Sequence, residues 1–242
     1  MPDRRVHRGP HPDDLKLFAP DVWPLLVEAI DDLCWLLNRG YPTESARTLV
    51  GDRYALTARQ RTAVERCSCS DASIARRRSR QVTADAVRGR PLWIDGYNLL
   101  TTIEAALSGG VILAGRDGCY RDMASMHGSY RKVTETLPAL ERIGQTAAEL
   151  GVGQCLWYLD RPVSNSGRLR AILEEFGASH AWPWHAELVQ DPDRLLAESS
   201  EVVVTADSAI LDRCTAWFNL ARETVQRHIP DVRLPCLGPA KA

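Results

Sequence analysis

Apolar positions in the first third of the chain recur at helical intervals. In VWPLLVEAIDDLCWLL, residues 22–37, the side chains of Trp23, Leu26, Ile30, Leu33 and Leu37 fall three or four positions apart, which puts them on one face of an amphipathic helix. Gly40 follows as its stop, since glycine takes the left-handed conformation that closes a helix. Pro42-Thr43-Glu44 opens a second, short helix through Leu49-Val50, and Thr57-Ala-Arg-Gln60 has the capping-box spacing that starts a third. Residues 71–90 carry Arg76, Arg77, Arg78, Arg80, Arg88 and Arg90 with few large apolar side chains, so a helix running into a basic linker is expected there. Residues 1–90 thus read as a small all-helical domain.

Beyond Pro91 the pattern changes to short apolar runs alternating with helical segments, the signature of a mostly parallel sheet wrapped by helices. Strands are expected at 92–94, 155–159, 179–189, 202–205 and 232–236, with Pro183 marking an edge or bulge in the third. Helices are expected after Asn98, across 130–150 with an interruption at Pro138, and at 165–176, 193–199 and 208–227. Between the first two strands, Gly109 to Gly115 suggests a turn and a short extended piece. The implied architecture for residues 91–242 is a three-layer α/β/α domain on a mostly parallel five-stranded sheet.

Composition narrows the class without deciding it. The chain has 242 residues, 45% hydrophobic and 25% charged, ordinary values for a globular protein of one or two domains. No apolar run approaches the roughly 20 residues that span a bilayer, and the charged first residues lack the apolar core of a secretory signal, so a cytoplasmic protein with no membrane partner is expected. The seven scattered cysteines read as reduced core thiols, and Cys67-Ser-Cys69 lacks the spacing and the second ligand pair of a zinc site. Residues 1–90 hold 16 Lys+Arg against 12 Asp+Glu and residues 91–242 hold 14 against 19, so the front carries +4 and the back −5. A basic module beside an acidic one suits a nucleic-acid enzyme, though helical surfaces reach such asymmetry by chance. No P-loop, GxSxG elbow or HExxH is present, which removes the commonest nucleotide-hydrolase, serine-hydrolase and zinc-protease readings.

Three of the predicted strands end in an aspartate: WIDGYN with Asp95, CLWYLD with Asp160 and VVVTAD with Asp207. In open α/β sheets, sites form outside the carboxyl ends of the strands, so these acids are expected in one cleft. One such aspartate alone is more often a helix cap; three together repel each other and persist mainly where a cation offsets the repulsion. Hard oxygen donors without a Cys/His set point to Mg²⁺ or Mn²⁺, and a cation so held can polarise a phosphoryl oxygen and activate water for phosphodiester hydrolysis. Asp193, in the QDPD stretch, could supply a further acid, with Asp191 as its alternative; Asp212 reads as a supporting residue.

These residues carry a resemblance. Ile94-Asp-Gly-Tyr-Asn98 resembles the opening motif of the NYN branch of the PIN-like nucleases, and Thr205-Ala-Asp207 resembles that family's threonine and aspartate after the fourth strand. Over the whole chain, HPDDLKLFAP, LVGDRYALTARQR, IDGYNLL, ALSGGVIL, RDGCYRD, LDRPVSNSGRL and TADSAILD are similar to an uncharacterised prokaryotic family that joins domain of unknown function 434 to a PIN-like C-terminal domain. The resemblance implies a PIN-like fold and a magnesium-dependent endoribonuclease leaving 5′-phosphates. It implies Asp95, Asp160, Asp193 and Asp207 as catalytic acids, Asn98 positioning a ligand, and Thr205 or Ser208 holding water or phosphate. The stretch 116–128 lies outside the usual pattern of those nucleases.

Other groups complete the expectation. Residues 160–168 pack Arg161, Ser164, Asn165, Ser166 and Arg168 round a helix start, where backbone N–H groups and the helix dipole favour an anion; ordinary capping explains the same residues equally well. Asp117 and Asp122, with Arg116, Arg121 and His127, form either a rim over the cleft or a salt-bridged turn. The His185 side chain, Trp182, Trp184, Trp217 and the arginines at 76–80 fit edge, core and exposed helix positions better than a site. The function expected is a Mg²⁺- or Mn²⁺-dependent nuclease on RNA, with single-stranded DNA as a second substrate class. The alternatives are a non-catalytic RNA- or protein-binding module that keeps the fold, and a small-molecule phosphate hydrolase.

Overall fold

The structure is a computed structural model that describes residues 7–124, 128–235 and 237. Five helices open it: α1 (Asp14–Leu17), α2 (Trp23–Asn38), α3 (Thr43–Arg53), α4 (Ala58–Cys67) and α5 (Asp71–Arg80). The predicted stripe of α2 buries Leu26, Ile30 and Leu33, and Gly40 closes the helix at φ +78°. At the start of α4 the capping box is formed: Gln60 N–H donates to the Thr57 hydroxyl, and Thr57 N–H donates back to the Gln60 side chain. The predicted helix over 71–90 stops at Arg80, because Val82 N–H bonds the Trp217 carbonyl and a 3₁₀ turn at Asp85–Val87 then leads into the sheet.

The remaining elements are β1 (Pro91–Asp95), α6 (Gly96–Leu107), β2 (Ile112–Ala114), β3 (Tyr120–Asp122), α7 (Thr136–Glu149), β4 (Gln154–Asp160), α8 (Ser166–Ser179), β5 (Trp184–Val189), α9 (Pro192–Ala197), β6 (Val202–Val204), α10 (Ser208–Leu211), β7 (Ala216–Trp217) and α11 (Leu220–His228). Strands β5, β4, β1, β6 and β7 pair in that order, all parallel. Side chains alternate across the sheet: Leu92 and Ile94 of β1 join one core with α6, α7, α8 and α11, while Trp93 faces a second with α9, α10 and Trp217. The chain builds outward from β1 to β4 and β5, then returns to lay β6 on the other side of β1, so the topological switch point lies between β1 and β6.

The antiparallel pair β2–β3 stands apart from this sheet and ties it to the helical region. Ile112 and Tyr120 enter the sheet's core, whereas Val111, Leu113 and Met123 enter the core built by α2, α3 and α4. Arginines of the helical region reinforce the junction. Arg59 grips the buried Asp14 through two bonds and reaches the Met123 carbonyl, Arg66 bonds the Asp122 carbonyl, and the buried Arg77 bonds Asp117 at 2.5 Å and both oxygens of Asp212 at 2.8 Å. Much of the charge asymmetry between front and back is therefore neutralised internally, and Arg77 departs from the exposed helix face expected for it.

Four expected elements are corrected. The helix over 208–227 is two helices split by β7, because Trp217 gains more from full burial in the sheet, with its indole N–H on the Arg77 carbonyl, than from a place on a helix; Asn219 then caps α11. The fifth strand is therefore β7; at 232–236 the described residues make only a bridge from Arg233 to Val111, and residue 236 lies outside them. The third strand begins at Trp184 and not at 179, because α8 continues to Ser179. The helix of 130–150 begins at Thr136, although Tyr130 and Val133 are buried as its stripe requires. The core-thiol reading holds for the six described cysteines, all buried and free, with burial pushing Cys67 and Cys119 up to about 12. Trp184 and Trp217 are core residues and Trp182 packs beside Trp184, while His185 is exposed on β5.

Candidate functional site

At the switch point two turns are laced together. Asp95, the last residue of β1, caps α6 by accepting from Asn98 N–H at 3.4 Å. Its other oxygen accepts from the Thr205 hydroxyl at 2.8 Å, and that hydroxyl in turn accepts from Asp207 N–H at 3.0 Å. The Asn98 side chain accepts from Ala206 N–H at 2.8 Å. Asp207 caps α10 with one oxygen, Oδ1, taking bonds from Ala209 and Ile210 N–H. Both aspartates are thus helix caps and also members of one constellation, because the register that sets Ile94 beside Val204 brings the ends of β1 and β6 together. Gly96 is required here: a Cβ would stand 3.0 Å from the Tyr158 carbonyl, so a side chain would drive α6 away from β4.

A cleft of about 550 Å³ opens over this turn, between the sheet's carboxyl edge and α4. Asp95, Asn98, Asp207 and Ser208 line it, together with Tyr97, Asp122 and Arg66. Asp122 is buried and oriented by the Thr101 and Thr102 hydroxyls at 3.3 and 3.0 Å and by Ala124 N–H at 2.6 Å. The sequence places Asp122 only in a rim over the cleft or a salt-bridged turn, and gives no role to Tyr97, Thr101, Thr102 or Arg66. Tyr97 was visible inside IDGYN, but nothing local signals that β3 folds back over α6.

Electrostatics join the remaining acids to this cleft. Burial raises Asp95 to about 7, and the charges of Asp193 and Asp207 add to the rise. Asp160 is raised by burial, then by Asp193 and Asp191; Asp193 is raised by burial, then by Asp207 and Asp191. Asp160 lies two residues beyond the Asp95 level, since Asp95 pairs with Tyr158, and neither Asp160 nor Asp193 lines the cleft itself. Asp191 caps α9 by accepting from Arg194 N–H. Among the described residues no three Asp, Glu, His or Cys side chains stand close enough to make a finished metal cage. The donors are nevertheless all hard oxygens under mutual repulsion, which suits a cation such as Mg²⁺ that binds through one or two carboxylates and keeps several waters.

Asp117 and Asp212 sit behind the site. Asp117 is lowered to about 2; burial opposes this, but is outweighed by Arg121 and Arg77. Arg121 donates to the Ala206 carbonyl at 2.8 Å, and Arg77 bonds Asp212 while reaching the Ser208 carbonyl. These ion pairs hold the Thr205–Ser208 turn, Arg121 from the cleft wall and Arg77 from outside it. At the start of α8, Asn165 has φ +70° and donates to the Tyr130 carbonyl, Ser166 is buried, and Arg161, Ser164 and Arg168 are exposed. This group adjoins a separate groove lined by Arg131, Lys132 and Arg168. Position 127 lies outside the described residues. Among the described residues no helix is long and apolar enough to cross a membrane.

Two family models match stretches of the chain. A family model described as "Domain of unknown function (DUF5616)" matches residues 84–223, and one described as "Protein of unknown function (DUF434)" matches residues 25–80. The chain is similar to "Uncharacterized protein MJ0935" of Methanocaldococcus jannaschii, with 28% identity over 186 residues covering 77% of this chain and 88% of that protein. No solved structure matches.

Proposed function

We propose that this chain, which belongs to the family described as domain of unknown function DUF5616, is a divalent-metal-dependent nuclease of PIN-like fold that hydrolyses phosphodiester bonds, foremost in RNA. The observation that carries the reading is the hydrogen-bonded constellation of Asp95, Thr205, Asn98 and Asp207 at the sheet's switch point, opening into a cleft that also holds Asp122. Such carboxylates are costly to gather unless something positive is bound among them.

Asp95 and Asp207 would hold the cation, with Asp160, Asp193 and Asp122 adding negative charge around it. A bound divalent ion lowers the pKa of water and polarises a phosphoryl oxygen. The chain's own groups do the rest. Thr205 fixes the Asp95 carboxylate through its hydroxyl, Asn98 ties the two strand-end turns at one separation, and Arg66 and Arg121 offset acid charge so that a phosphate can approach. Single-stranded DNA is the second substrate class. The open spacing of the acids also favours a second reading, an RNA-binding module without turnover.

A mixed RNA pool separates these. Cleavage in Mg²⁺ or Mn²⁺ by the wild type, abolished by Asp95→Asn and by Asp207→Asn, is the expected result. The same metals should raise the melting temperature of the wild type and leave that of Asp95→Asn unchanged, since a ligand bound only by the folded state stabilises it. Binding of RNA without cleavage selects the module, and turnover of small phosphate esters alone selects a phosphatase.

A further inference from the structure

Tyr97 stands in the first turn of α6, two residues after Asp95, and lines the acid cleft. It is only 6% exposed, yet its hydroxyl makes no hydrogen bond among the described residues. Buried hydroxyls are ordinarily paired, because leaving one unpaired forfeits its hydration without return. A hydroxyl left unpaired in the wall of a cleft is therefore a donor that a ligand seated against that wall can take up. The ring is fixed by packing on Tyr130 at 5.6 Å between centroids; burial, and after it the Asp160 charge, raise the pKa of the hydroxyl, while the Ser166 side chain at the start of α8 lowers it. Tyr130 in turn lines the groove of about 480 Å³ that carries Arg131, Lys132 and Arg168. One aromatic pair thus joins the acid cleft to a cationic groove.

We propose that the Tyr97 hydroxyl donates to a phosphate oxygen of a bound nucleic-acid strand where the strand leaves the acid cleft, and that a neighbouring phosphate lies in the groove of Lys132 and Arg168. The proposal deepens the nuclease reading and rests on it. An acid-lined cleft repels the phosphates it must receive, and a neutral donor solves this without neutralising the carboxylates that hold the cation. Beyond the acids that constraint disappears, and cations take over, as at phosphate-tracking surfaces generally.

The test uses the full chain in an Asp95→Asn background and a fluorescein-labelled single-stranded RNA of about 12 nucleotides, followed by anisotropy across a salt series. Adding Tyr97→Phe should weaken binding about tenfold, the loss of one hydrogen bond to a charged group, and leave the slope of log affinity against log salt unchanged. Lys132→Ala with Arg168→Ala should instead flatten that slope by roughly one for each phosphate that is no longer neutralised. Tyr97→Phe alone should melt no lower than the wild type, because it removes a buried group that bonds nothing. Equal RNA affinity with and without the hydroxyl overturns the proposal, as does a marked fall in melting temperature, which would mark the hydroxyl as structural. Complete failure of Asp95→Asn to bind RNA overturns it too. Tyr97-dependent binding with no cleavage by the wild type leaves the proposal standing and removes only the nuclease reading.

Discussion

Replacing Asp95 by Asn should stabilise the metal-free protein above neutral pH. The carboxyl ionises near pH 7 in the folded state, against an ordinary value of 3.8, because it is buried beside Asp193 and Asp207. The folded protein therefore holds this proton more tightly than the unfolded chain does, and between about pH 4 and 7 stability falls as pH rises. Above pH 7 both states are ionised and the buried charge costs about 4 kcal/mol. That is an upper bound, since the residue keeps some solvent contact and the cleft relaxes round it. Asn also reverses one hydrogen bond, because its amide nitrogen must donate where Asp95 accepted from Thr205, at a cost of about 1 kcal/mol. The net gain at pH 8 should be about 2 kcal/mol, or about 4 to 8 °C in melting temperature for a chain of this length. Urea and thermal melts of both proteins in EDTA at pH 4.5 and pH 8 measure it. A gain at pH 8 that vanishes at pH 4.5 fits a buried charge; a variant no more stable at pH 8, or a gap equal at both pH values, refutes the reasoning.

Two further substitutions test what holds the site from behind and what starts the helix beside it. Arg77→Ala should cost about 3 to 5 kcal/mol in chemical denaturation, because it strips Asp212 of a two-point partner and leaves the buried Asp117 with Arg121 alone. Arg77→Lys should recover only part of this, as an ammonium cannot reproduce the fork; a loss below about 1 kcal/mol for Ala would show the network is not structural. Thr57→Ala should lose about 1 kcal/mol by undoing the capping box of α4, with Thr57→Ser retaining most of it, again read from urea midpoints.

Sequence reading succeeded where local chemistry and tertiary structure agree. The α2 stripe, the Thr57 cap, the first strand ending at Asp95 and the alternation of strands with helices are each written in a few adjacent residues. It failed where a distant partner overrode the local pattern. Residues 208–227 have helical spacing, but Trp217 is drawn into the sheet by β6 and by the Arg77 carbonyl, 140 residues earlier in the chain. Arg77 itself looks like one of four surface arginines; only the acids that fold against it make it a buried residue.

The candidate site divides along the same line. The strand-end positions of Asp95, Asp160 and Asp207 were legible because such an aspartate in a parallel sheet falls at the carboxyl edge, but only Asp95 and Asp207 line the cleft there. The cleft above them was not, because its other wall comes from α4 and from β3, which no periodicity connects to the sheet. The β2–β3 pair does that joining: its apolar side chains divide between two cores, and the turn between its strands holds Asp117, bound to Arg77 and Arg121. Arg121 then bonds the Ala206 carbonyl, so the geometry of the Thr205–Asp207 turn depends on whether the helical region is docked. It follows that the front helices are structural to the site before they are anything else, and that weakening their dock by Arg77→Ala should disturb the acid cleft even though Arg77 does not line it.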